Sequence, residues 1–419
     1  MKKSAIGIAF AITFLLAFIR QLGAEEAWPQ FRGPTGQGIS SARNLPVKWS
    51  AKSNVVWKTP LPGKGWSSPV LKDRRLYLTS AVDGKEGRPV SLRVQCVNAA
   101  NGMLIWETEV FRPSSEEAKA LHQKNSLASA TPIVSGNQLF VHFGHMGTAA
   151  LDLTGKVVWR QASLKYSPVH GSGGSPTLVG DLLVFSCDGA TDPFVVALDA
   201  ATGAVRWRTP RNTPATKNFS FSTPLEIEVH GARQIISAGS GLVGAYDPES
   251  GQEIWRVLYG EGYSIVPRPV YAAGLLFVCS GYEGPVLLAI NPDGARGNVT
   301  ESHVAWRFRK GVPHTSSLLA VGDELYFVSD NGIAKCLDAR TGKVHWDERL
   351  GGEFSASPIY AAGRVYFQSE AGVGIVVKAG KTFELLSRND LEERTLASYA
   401  VIDHALFIRS EFHLWRVGQ

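Results

Sequence analysis

A phrase that ends in tryptophan recurs along the chain, and it constrains the fold more than any other feature. "LDAATGAVRW" occupies residues 198–207, and looser copies stand at 337–346, 246–255, 151–159 and 97–106. Each copy predicts the end of one strand, a tight turn at a glycine, and the start of the next strand. The closing tryptophan returns every 40 to 53 residues. A regular period of this length is typical of an array of small supersecondary units.

A second phrase lies upstream of each tryptophan. It consists of small polar residues, usually a proline, and two apolar strands separated by a turn, as in "ASATPIVSGNQLFVHFG" at 128–144 and "GGSPTLVGDLLVFSCDG" at 173–189. The two phrases together predict four short antiparallel strands per unit. Four-stranded units of this length are the blades of a β-propeller. We therefore predict an all-β fold, an eight-bladed β-propeller of four-stranded antiparallel blades.

The count of eight depends on how the ring closes. Seven blades are complete, but residues 395–418 supply only three strands. The missing strand is "NVVWKTPL" at 54–61, near the other end of the chain. A last blade completed by this N-terminal strand would close the ring and remove exposed sheet edges. Trp57 would then do for blade 8 what Trp207 does for blade 3, and we expect both to pack between blades.

The first residues are typical of a secretory signal. Lys2 and Lys3 precede a short apolar run at 5–19, and "LGA" at 22–24 would precede cleavage. We predict a signal peptide at 1–24, an N-terminal extension at 25–53 and the propeller at 54–418. An uncleaved anchor is the alternative. With the signal cleaved, we expect a periplasmic or secreted protein with no stable transmembrane segment.

Charge and cysteine content narrow the function classes. The formal net charge is +6, but residues 1–24 carry three basic residues and no acid, which leaves +3 for the mature chain. That charge is too small to indicate nucleic-acid binding, and no basic tract supports it. The four cysteines are far apart and lie within apolar strands, so we expect buried free thiols: Cys96, Cys187, Cys279 and Cys336.

Over residues 54–418 the chain resembles the PQQ-like eight-bladed β-propellers. The resemblance is carried by the "D-x-x-T-G-x-x-x-W" phrases at 199–207 and 338–346. That class includes quinoprotein dehydrogenases and the non-enzymatic propeller of outer-membrane protein assembly. The prefix "WPQFRGPTGQG" at 28–38 resembles the opening of a planctomycete-type group of secreted propellers whose activity is unassigned.

The resemblance to quinoproteins implies PQQ and calcium as candidate cofactors at the propeller centre. It also implies an Asp base, oxygen ligands for calcium and, often, a vicinal disulfide. This chain has no Cys-Cys pair and is shorter than the usual enzyme. Four carboxylates would serve as calcium ligands in principle: Asp188, Asp192, Glu261 and Glu353.

Residues that interrupt the repeat are the better indicators of a site. In a propeller, the loops that lead into each innermost strand (the lead-in loops) share one face with the loops between second and third strands. From these loops we predict a ligand-binding set: His145, His170, Asp188, Asn218, Tyr263, Arg268 and His314. Arg268 would suit a carboxylate, phosphate or sulfate. Two alternatives stay open: polar loops that merely face water, and a His/His/Asp metal site at His145, His170 and Asp188.

These features predict a monomeric binding or scaffolding module for a protein, peptide or glycan ligand on the loop-rich face. The alternative function is an enzyme, either a PQQ- and calcium-dependent oxidoreductase or one that acts on polysaccharide. No catalytic residues are predicted, because the sequence contains no Ser-His-Asp motif, no HExxH and no paired carboxylates at a defined spacing.

Overall fold

A computed structural model describes residues 27–84, 89–119 and 121–418. The predicted signal peptide at 1–24 therefore lies outside the described residues. In chain order the strands are β1 (Val55–Pro60), β2 (Val70–Lys72), β3 (Arg75–Val82), β4 (Ser91–Asn98), β5 (Leu104–Phe111), β6 (Ile133–Ser135), β7 (Gln138–His142), β8 (Thr148–Asp152), β9 (Val157–Gln161), β10 (Thr177–Val179), β11 (Leu182–Cys187), β12 (Phe194–Asp199), β13 (Val205–Pro210), β14 (Leu225–Val229), β15 (Ala232–Gly239), β16 (Leu242–Tyr246), β17 (Glu253–Leu258), β18 (Val270–Ala272), β19 (Leu275–Cys279), β20 (Leu287–Ile290), β21 (Gly297–Asn298), β22 (Val304–Phe308), β23 (Leu319–Val321), β24 (Glu324–Val328), β25 (Ile333–Asp338), β26 (Val344–Arg349), β27 (Ile359–Ala361), β28 (Arg364–Gln368), β29 (Val373–Lys378), β30 (Leu385–Asp390), β31 (Ala400–Ile402), β32 (Ala405–Arg409) and β33 (His413–Gly418).

These strands form eight antiparallel sheets of four strands, which confirms the predicted propeller. In blades 1 to 7 the first strand in the chain is the innermost, and in blade 8 it is β31. Innermost strands of neighbouring blades contact one another, as β2 does β6 and β18 does β23. Blade 4 carries one addition, the two-residue strand β21, which pairs parallel to the outer strand β17. One 3₁₀ turn at Gly144–Met146 is the helical structure in the described residues. No helix in the described ranges is long and apolar enough to cross a membrane.

The ring closes as the sequence predicts. Strand β1 pairs antiparallel with β33, so that Lys58 lies opposite Trp415 and Thr59 opposite Leu414. The last blade therefore has the order β1-β33-β32-β31, and its outer strand comes from the start of the propeller. This closure gives the last blade four strands, as in the other blades.

The core lies between the blades. Third strands are almost wholly apolar and buried, as in "FVVALD" of β12, because both of their faces pack against neighbouring blades. Outer strands alternate instead, as in "VRWRTP" of β13, where Trp207 is buried and Arg206 and Arg208 are exposed. The four cysteines are buried free thiols, as predicted.

The recurring tryptophan links each blade to the next. Trp207 Nε1 donates to the carbonyl oxygen of Pro248 at 2.9 Å, in the turn before the outer strand of blade 4. Gly251 in that turn has φ +71°, and a Cβ there would lie 2.4 Å from the Trp207 ring. The glycine of the repeat is thus required both by its left-handed backbone and by the close approach of the indole. The same link recurs in five other pairs: Trp57–Ala99, Trp106–Leu153, Trp159–Ala200, Trp306–Ala339 and Trp346–Gly380.

Trp255 departs from this pattern. Its Nε1 donates to Oε1 of Gln234 at 2.8 Å, within its own blade. The short strand β21 covers the outer edge of the same blade, where it pairs with Trp255 and Arg256.

A ring of hydroxyl groups surrounds the central channel. The backbone N–H of Ser68 donates to Oγ1 of Thr131 in the next blade at 3.0 Å, and Ser398 N donates to Oγ of Ser68 at 3.1 Å. In five further pairs a backbone N–H donates to a side-chain hydroxyl oxygen of the next blade: Thr131 to Ser175, Ser175 to Thr223, Arg268 to Ser317, Ser317 to Ser357 and Ser357 to Ser398. Blade 5 alone in this series has Arg268 in place of a hydroxyl residue.

The "WPQFRGPTGQG" segment at 28–38 plugs the channel at the ends of the innermost strands. Trp28 forms an isolated β-bridge with Leu71 of β2, and Ser40 N donates to the carbonyl of Tyr360 in β27. Arg268 Nη1 donates to the carbonyl oxygens of Phe31 at 2.9 Å and Gly36 at 3.1 Å. The segment therefore crosses the ring from blade 1 to blade 7 and is held at its middle by blade 5.

The glycines of this plug explain its sequence. Gly33, Gly36 and Gly38 all have φ between +68° and +84°. A Cβ at Gly33 would lie 2.6 Å from the Trp28 ring, and a Cβ at Gly36 would lie 2.3 Å from Arg268 Nη1. Only glycine allows this backbone conformation and these approaches together.

Candidate functional site

The plug leaves a cavity that is open on the face of the lead-in loops. Its volume is about 350 Å³, and Phe31 of the plug is among its lining residues. All eight blades contribute to the wall, because each lead-in loop ends at the channel. The lining residues are Phe31, Trp66, Ser68, His122, Lys124, Asn125, Ser129, Thr131, His170, Gly173, Ser175, Phe219, Phe221, Thr223, Tyr263, Ser264, Val266, Tyr282, Thr315, Ser355, Ser357, Leu396, Ala397 and Ser398.

Six aromatic rings form a continuous arc around the mouth of this cavity. Neighbouring ring centroids are 4.3 to 6.1 Å apart, within the range of favourable aromatic contacts. We call this set the aromatic arc; in spatial order it is His122, His170, Phe219, Tyr263, Tyr282 and His314. The first five rings line the cavity, and His314 stacks on Tyr282 at the end of the arc.

The backbone beside the arc is strained at three points. His170, Ser264 and Glu283 have φ of +66°, +54° and +64°, which residues other than glycine rarely adopt. His170 is held by its carbonyl oxygen, which accepts from Asn125 Nδ2 at 2.8 Å. Strain of this kind persists only where the surrounding structure enforces it, and it concentrates at functional sites.

Two lysine–glutamate ion pairs border the arc. Lys217 Nζ lies 3.1 Å from Glu283 Oε2 and 4.0 Å from the centroid of the Tyr263 ring. The hydrogen bonds to Glu283 and Tyr263 raise the pKa of Lys217, so its ammonium stays charged. In the insertion before blade 2, Lys124 Nζ lies 2.8 Å from Glu370 Oε1.

Three of the predicted site residues meet at the mouth. His170 and Tyr263 line the cavity, and His314 joins them through Tyr282. His314 is also held by Asp330, whose Oδ1 accepts from its backbone N–H at 2.8 Å. Asn218 lies half-buried beside Phe219, and its Oδ1 is buried with no hydrogen-bond partner in the described residues.

The structure does not bring Arg268 to the mouth, although the sequence places it in the predicted ligand-binding set. Arg268 is 2 % exposed, and its Nε and Nη2 donate to Pro224 O at 3.0 Å and Thr177 Oγ1 at 2.9 Å. Burial lowers the pKa of Arg268 to about 9. We call the ring of hydroxyl groups around the channel the hub. The Arg268 side chain points into the channel because it takes the place of a hub hydroxyl and holds the plug.

Asp188 and His145 are also absent from the cavity wall. Asp188 is fully buried, and its Oδ1 accepts from Arg211 Nε at 2.7 Å. Burial raises the pKa of Asp188, and the charge of Arg211 opposes that shift. His145 is buried beside Tyr166, and its Nε2 donates to the carbonyl of Glu117 at 3.0 Å. Burial lowers the pKa of His145. Both residues therefore stabilise the loops through buried contacts away from the cavity.

The calcium that a quinoprotein would require does not fit these residues. No group of three or more His, Cys, Asp or Glu is placed to hold a metal within the described residues, which also excludes the His145/His170/Asp188 arrangement there. No carboxylate is among the described lining residues. Calcium needs several oxygen ligands and usually carboxylates. The described wall of the cavity therefore lacks the ligands that calcium would need.

The predicted set omits Phe219, Trp66 and Lys124, which the structure places in the wall. The sequence signal for Phe219 is its place in a lead-in loop, directly after the predicted residue Asn218. Lys124 carries no such signal, since it belongs to the insertion that precedes blade 2.

Comparisons with known proteins agree with this architecture. A family model described as "Outer membrane protein assembly factor BamB" matches residues 298–382. The chain is 24% identical over 369 residues to the outer membrane protein assembly factor BamB of Yersinia pestis, which covers 84% of this chain and 78% of that one. It is 25% identical over 353 residues to the quinohemoprotein alcohol dehydrogenase ADH IIB of Pseudomonas putida, which covers 75% of this chain and 48% of that one. The chain thus spans about half the length of this dehydrogenase.

Solved structures give the same fold. The crystal structure of BamB from Moraxella catarrhalis aligns with a TM-score of 0.58 at 15% identity, over 86% of this chain and 99% of that one. The quinohemoprotein alcohol dehydrogenase ADHIIG from Pseudomonas putida HK5 aligns with a TM-score of 0.67 at 13% identity, over 94% and 80%. The resemblance to PQQ-like eight-bladed propellers is confirmed. The narrower planctomycete-type resemblance of residues 28–38 stays a prediction.

Proposed function

We propose that this BamB-like propeller is a periplasmic or secreted, monomeric binding module that holds a segment of a partner protein at the mouth of its central channel. An aromatic or large apolar side chain of that segment would enter the cavity. The observation that carries the proposal is the aromatic arc above a cavity whose other end is plugged. A relative named for the assembly of outer membrane proteins makes a protein the first ligand class to test.

The chemistry of the wall supports a mainly apolar anchor with a polar backbone. Aromatic rings and Val266 and Leu396 offer apolar surface, and many of the remaining lining groups are hydroxyls. Several of those hydroxyls already accept hydrogen bonds from the preceding blade, such as Oγ of Ser175 and Oγ1 of Thr131. They would exclude water and contribute few new bonds. In most protein interfaces, a few buried anchor residues contribute most of the binding energy, and near-neutral contacts surround them.

The rim supports a protein segment as the ligand. Lysine–glutamate pairs border the mouth, as in Lys217–Glu283 and Lys124–Glu370. A polar rim of both signs around an apolar centre is typical of protein interfaces. The wall offers no carboxylate among the described residues, so it lacks the acidic pair that most polysaccharide-acting enzymes use.

Selection from a random peptide library on the immobilised full chain tests this proposal. We expect enriched peptides to share an aromatic or large apolar residue. Tyr263→Leu and Phe219→Leu keep apolar volume but remove the ring, and each should weaken a selected peptide by about 1 kcal/mol, about fivefold in Kd. Val158→Ala on an outer strand is the matched control and should bind normally.

If no peptide is enriched and the protein binds glycans on an array, the ligand is a carbohydrate and not a protein segment. Peptides that bind the Leu variants and the parent equally would place the ligand elsewhere on the molecule. Either result overturns the proposal as stated.

A further inference from the structure

Two buried guanidinium groups lie together at the hub of the ring, beneath the cavity. Arg32 of the plug and Arg268 of blade 5 are 1 % and 2 % exposed. A Cβ at Gly36 would lie 2.3 Å from Arg268 Nη1, and a Cβ at Gly38 would lie 2.8 Å from Arg32 Nη2. Because residues two apart in a chain are separated by at most about 7 Å, the two side chains are neighbours.

Neither charge is countered by a carboxylate in the part of the chain that the structure describes. Arg211, another buried arginine, is paired with a carboxylate: its Nε lies 2.7 Å from Oδ1 of Asp188. At the hub, by contrast, burial and then the charge of Arg268 lower the pKa of Arg32 to about 9. Two like charges in a low-dielectric interior are unfavourable unless an opposite charge is supplied.

The two guanidiniums differ in how their N–H groups are satisfied. Arg268 donates to five neutral acceptors: the carbonyls of Pro224, Phe31 and Gly36, the hydroxyl of Thr177 and, at 3.5 Å, Oε1 of Gln30. Arg32 donates from Nη2 to the carbonyl of Gln37 at 2.9 Å, and Nη2 also lies 3.5 Å from Pro358 O. Its Nε and Nη1 are buried and have no acceptor among the described residues, and neither has Trp28 Nε1.

We propose that a small monovalent anion, chloride in the simplest case, is bound beside Nη1 of Arg32, between the plug and the ring. Such an ion would accept from the unpartnered Nη1 group and would neutralise one of the two charges. Guanidinium groups suit this role because they stay protonated and present several donors in one plane. The site is distinct from the cavity, where Arg32 is not among the lining residues.

Anion binding would fasten the plug. Arg32 belongs to the extension, whereas Arg268 belongs to the ring, so an ion between them joins the two parts. A ligand that binds only the folded state raises stability with its concentration. The full chain should therefore melt at a higher temperature in chloride than in an anion too large to be buried.

The experiment compares melting temperatures of the full chain in sodium chloride, sodium formate and sodium gluconate at equal ionic strength. We expect a saturable rise in Tm with chloride or formate over gluconate. Arg32→Gln should abolish the difference between anions. Arg206→Gln, at an exposed arginine paired with Asp181 and Asp199, is the matched control and should keep it.

Bromide-soaked crystals of the unmodified protein give a second readout that does not depend on a variant. An anomalous peak within hydrogen-bond distance of Arg32 Nη1 would support the proposal. A water molecule or a carboxylate of the chain in that position would overturn it. Bromide peaks confined to the surface, together with equal Tm in all three salts, would mean an adventitious ion only and would overturn it as well.

Discussion

Lys124 Nζ lies 2.8 Å from Oε1 of Glu370, although 246 residues separate them in the chain. Lys124 belongs to the insertion before blade 2, and Glu370 follows the second strand of blade 7. Glu353 Oε2 lies 3.6 Å from the same ammonium group. Burial opposes the charge of Lys124, but the hydrogen bond to Glu370 and the charges of both glutamates raise its pKa. The pair thus ties the insertion across the mouth of the cavity.

Lys124→Met should loosen this tie without unfolding the ring. The substitution keeps most of the side-chain length and removes the charge, so Glu370 loses its cation. We expect faster amide hydrogen exchange over residues 121–131 and 353–357, with a fall of less than about 1 kcal/mol in the free energy of unfolding, since partly exposed pairs contribute little. Lys119→Met removes the exposed pair with Glu116 and should leave exchange unchanged. Unchanged exchange in Lys124→Met would show that other contacts hold the insertion.

Trp207→Ala should cost about 3–5 kcal/mol in the free energy of unfolding, because the ring is buried between blades 3 and 4. Trp207→Phe keeps much of the packing but loses the bond to Pro248 and should cost less. Trp66→Ala should disturb stability less and ligand binding more, since Trp66 lines the cavity and is half-buried. Chemical denaturation measures all three. Equal losses at Trp207 and Trp66 would contradict this division of roles.

Strand β1 should be essential for the closed ring. A chain that starts at residue 54 lacks the plug and keeps β1, whereas a chain that starts at Leu61 lacks both. The difference between their melting temperatures isolates β1, and we expect the shorter chain to aggregate or to melt far lower, because β33 becomes an exposed edge. Similar melting of two monomeric truncations would argue against closure by β1.

Acid should destabilise the protein through His142. The ring is 2 % exposed, its Nδ1 bonds to Thr148 Oγ1 at 2.8 Å, and its centroid lies 4.3 Å from that of Phe185. Burial, and then the charge of His145, lower the pKa of His142 to about 3. Below the unfolded pKa of about 6.5 the unfolded chain binds a proton that the folded chain does not, so stability falls as pH falls, by up to about 1.4 kcal/mol per unit.

His142→Gln should flatten this dependence between about pH 6.5 and pH 3, where urea denaturation at a series of pH values measures the slope. His404→Gln, at an exposed histidine of blade 8, is the control and should keep the parent slope. A variant at His142 with the parent slope would assign the acid sensitivity to other groups.

Part of the candidate site could be predicted from loop position alone. His170, Tyr263 and His314 interrupt the repeat in lead-in loops, and the structure brings all three to the aromatic arc. Arg268 interrupts the repeat in the same way, yet it faces the plug. The two cases have the same sequence signature, because the repeat does not record whether a side chain points up to the mouth or down into the hub.

The sequence by itself determined the all-β fold, the eight blades, the N-terminal closing strand and the structural role of the tryptophans. Each of these depends on short patterns that repeat along the chain, and the links they make join a blade only to its neighbour. The tertiary structure alone decided the cavity, the arc and the pair of arginines at the hub. The cavity gathers residues of all eight blades, and the arginine pair joins the extension to blade 5. The direction of each side chain depends on loop backbones such as the left-handed His170. No local pattern encodes such a direction, so only the assembled ring reveals it.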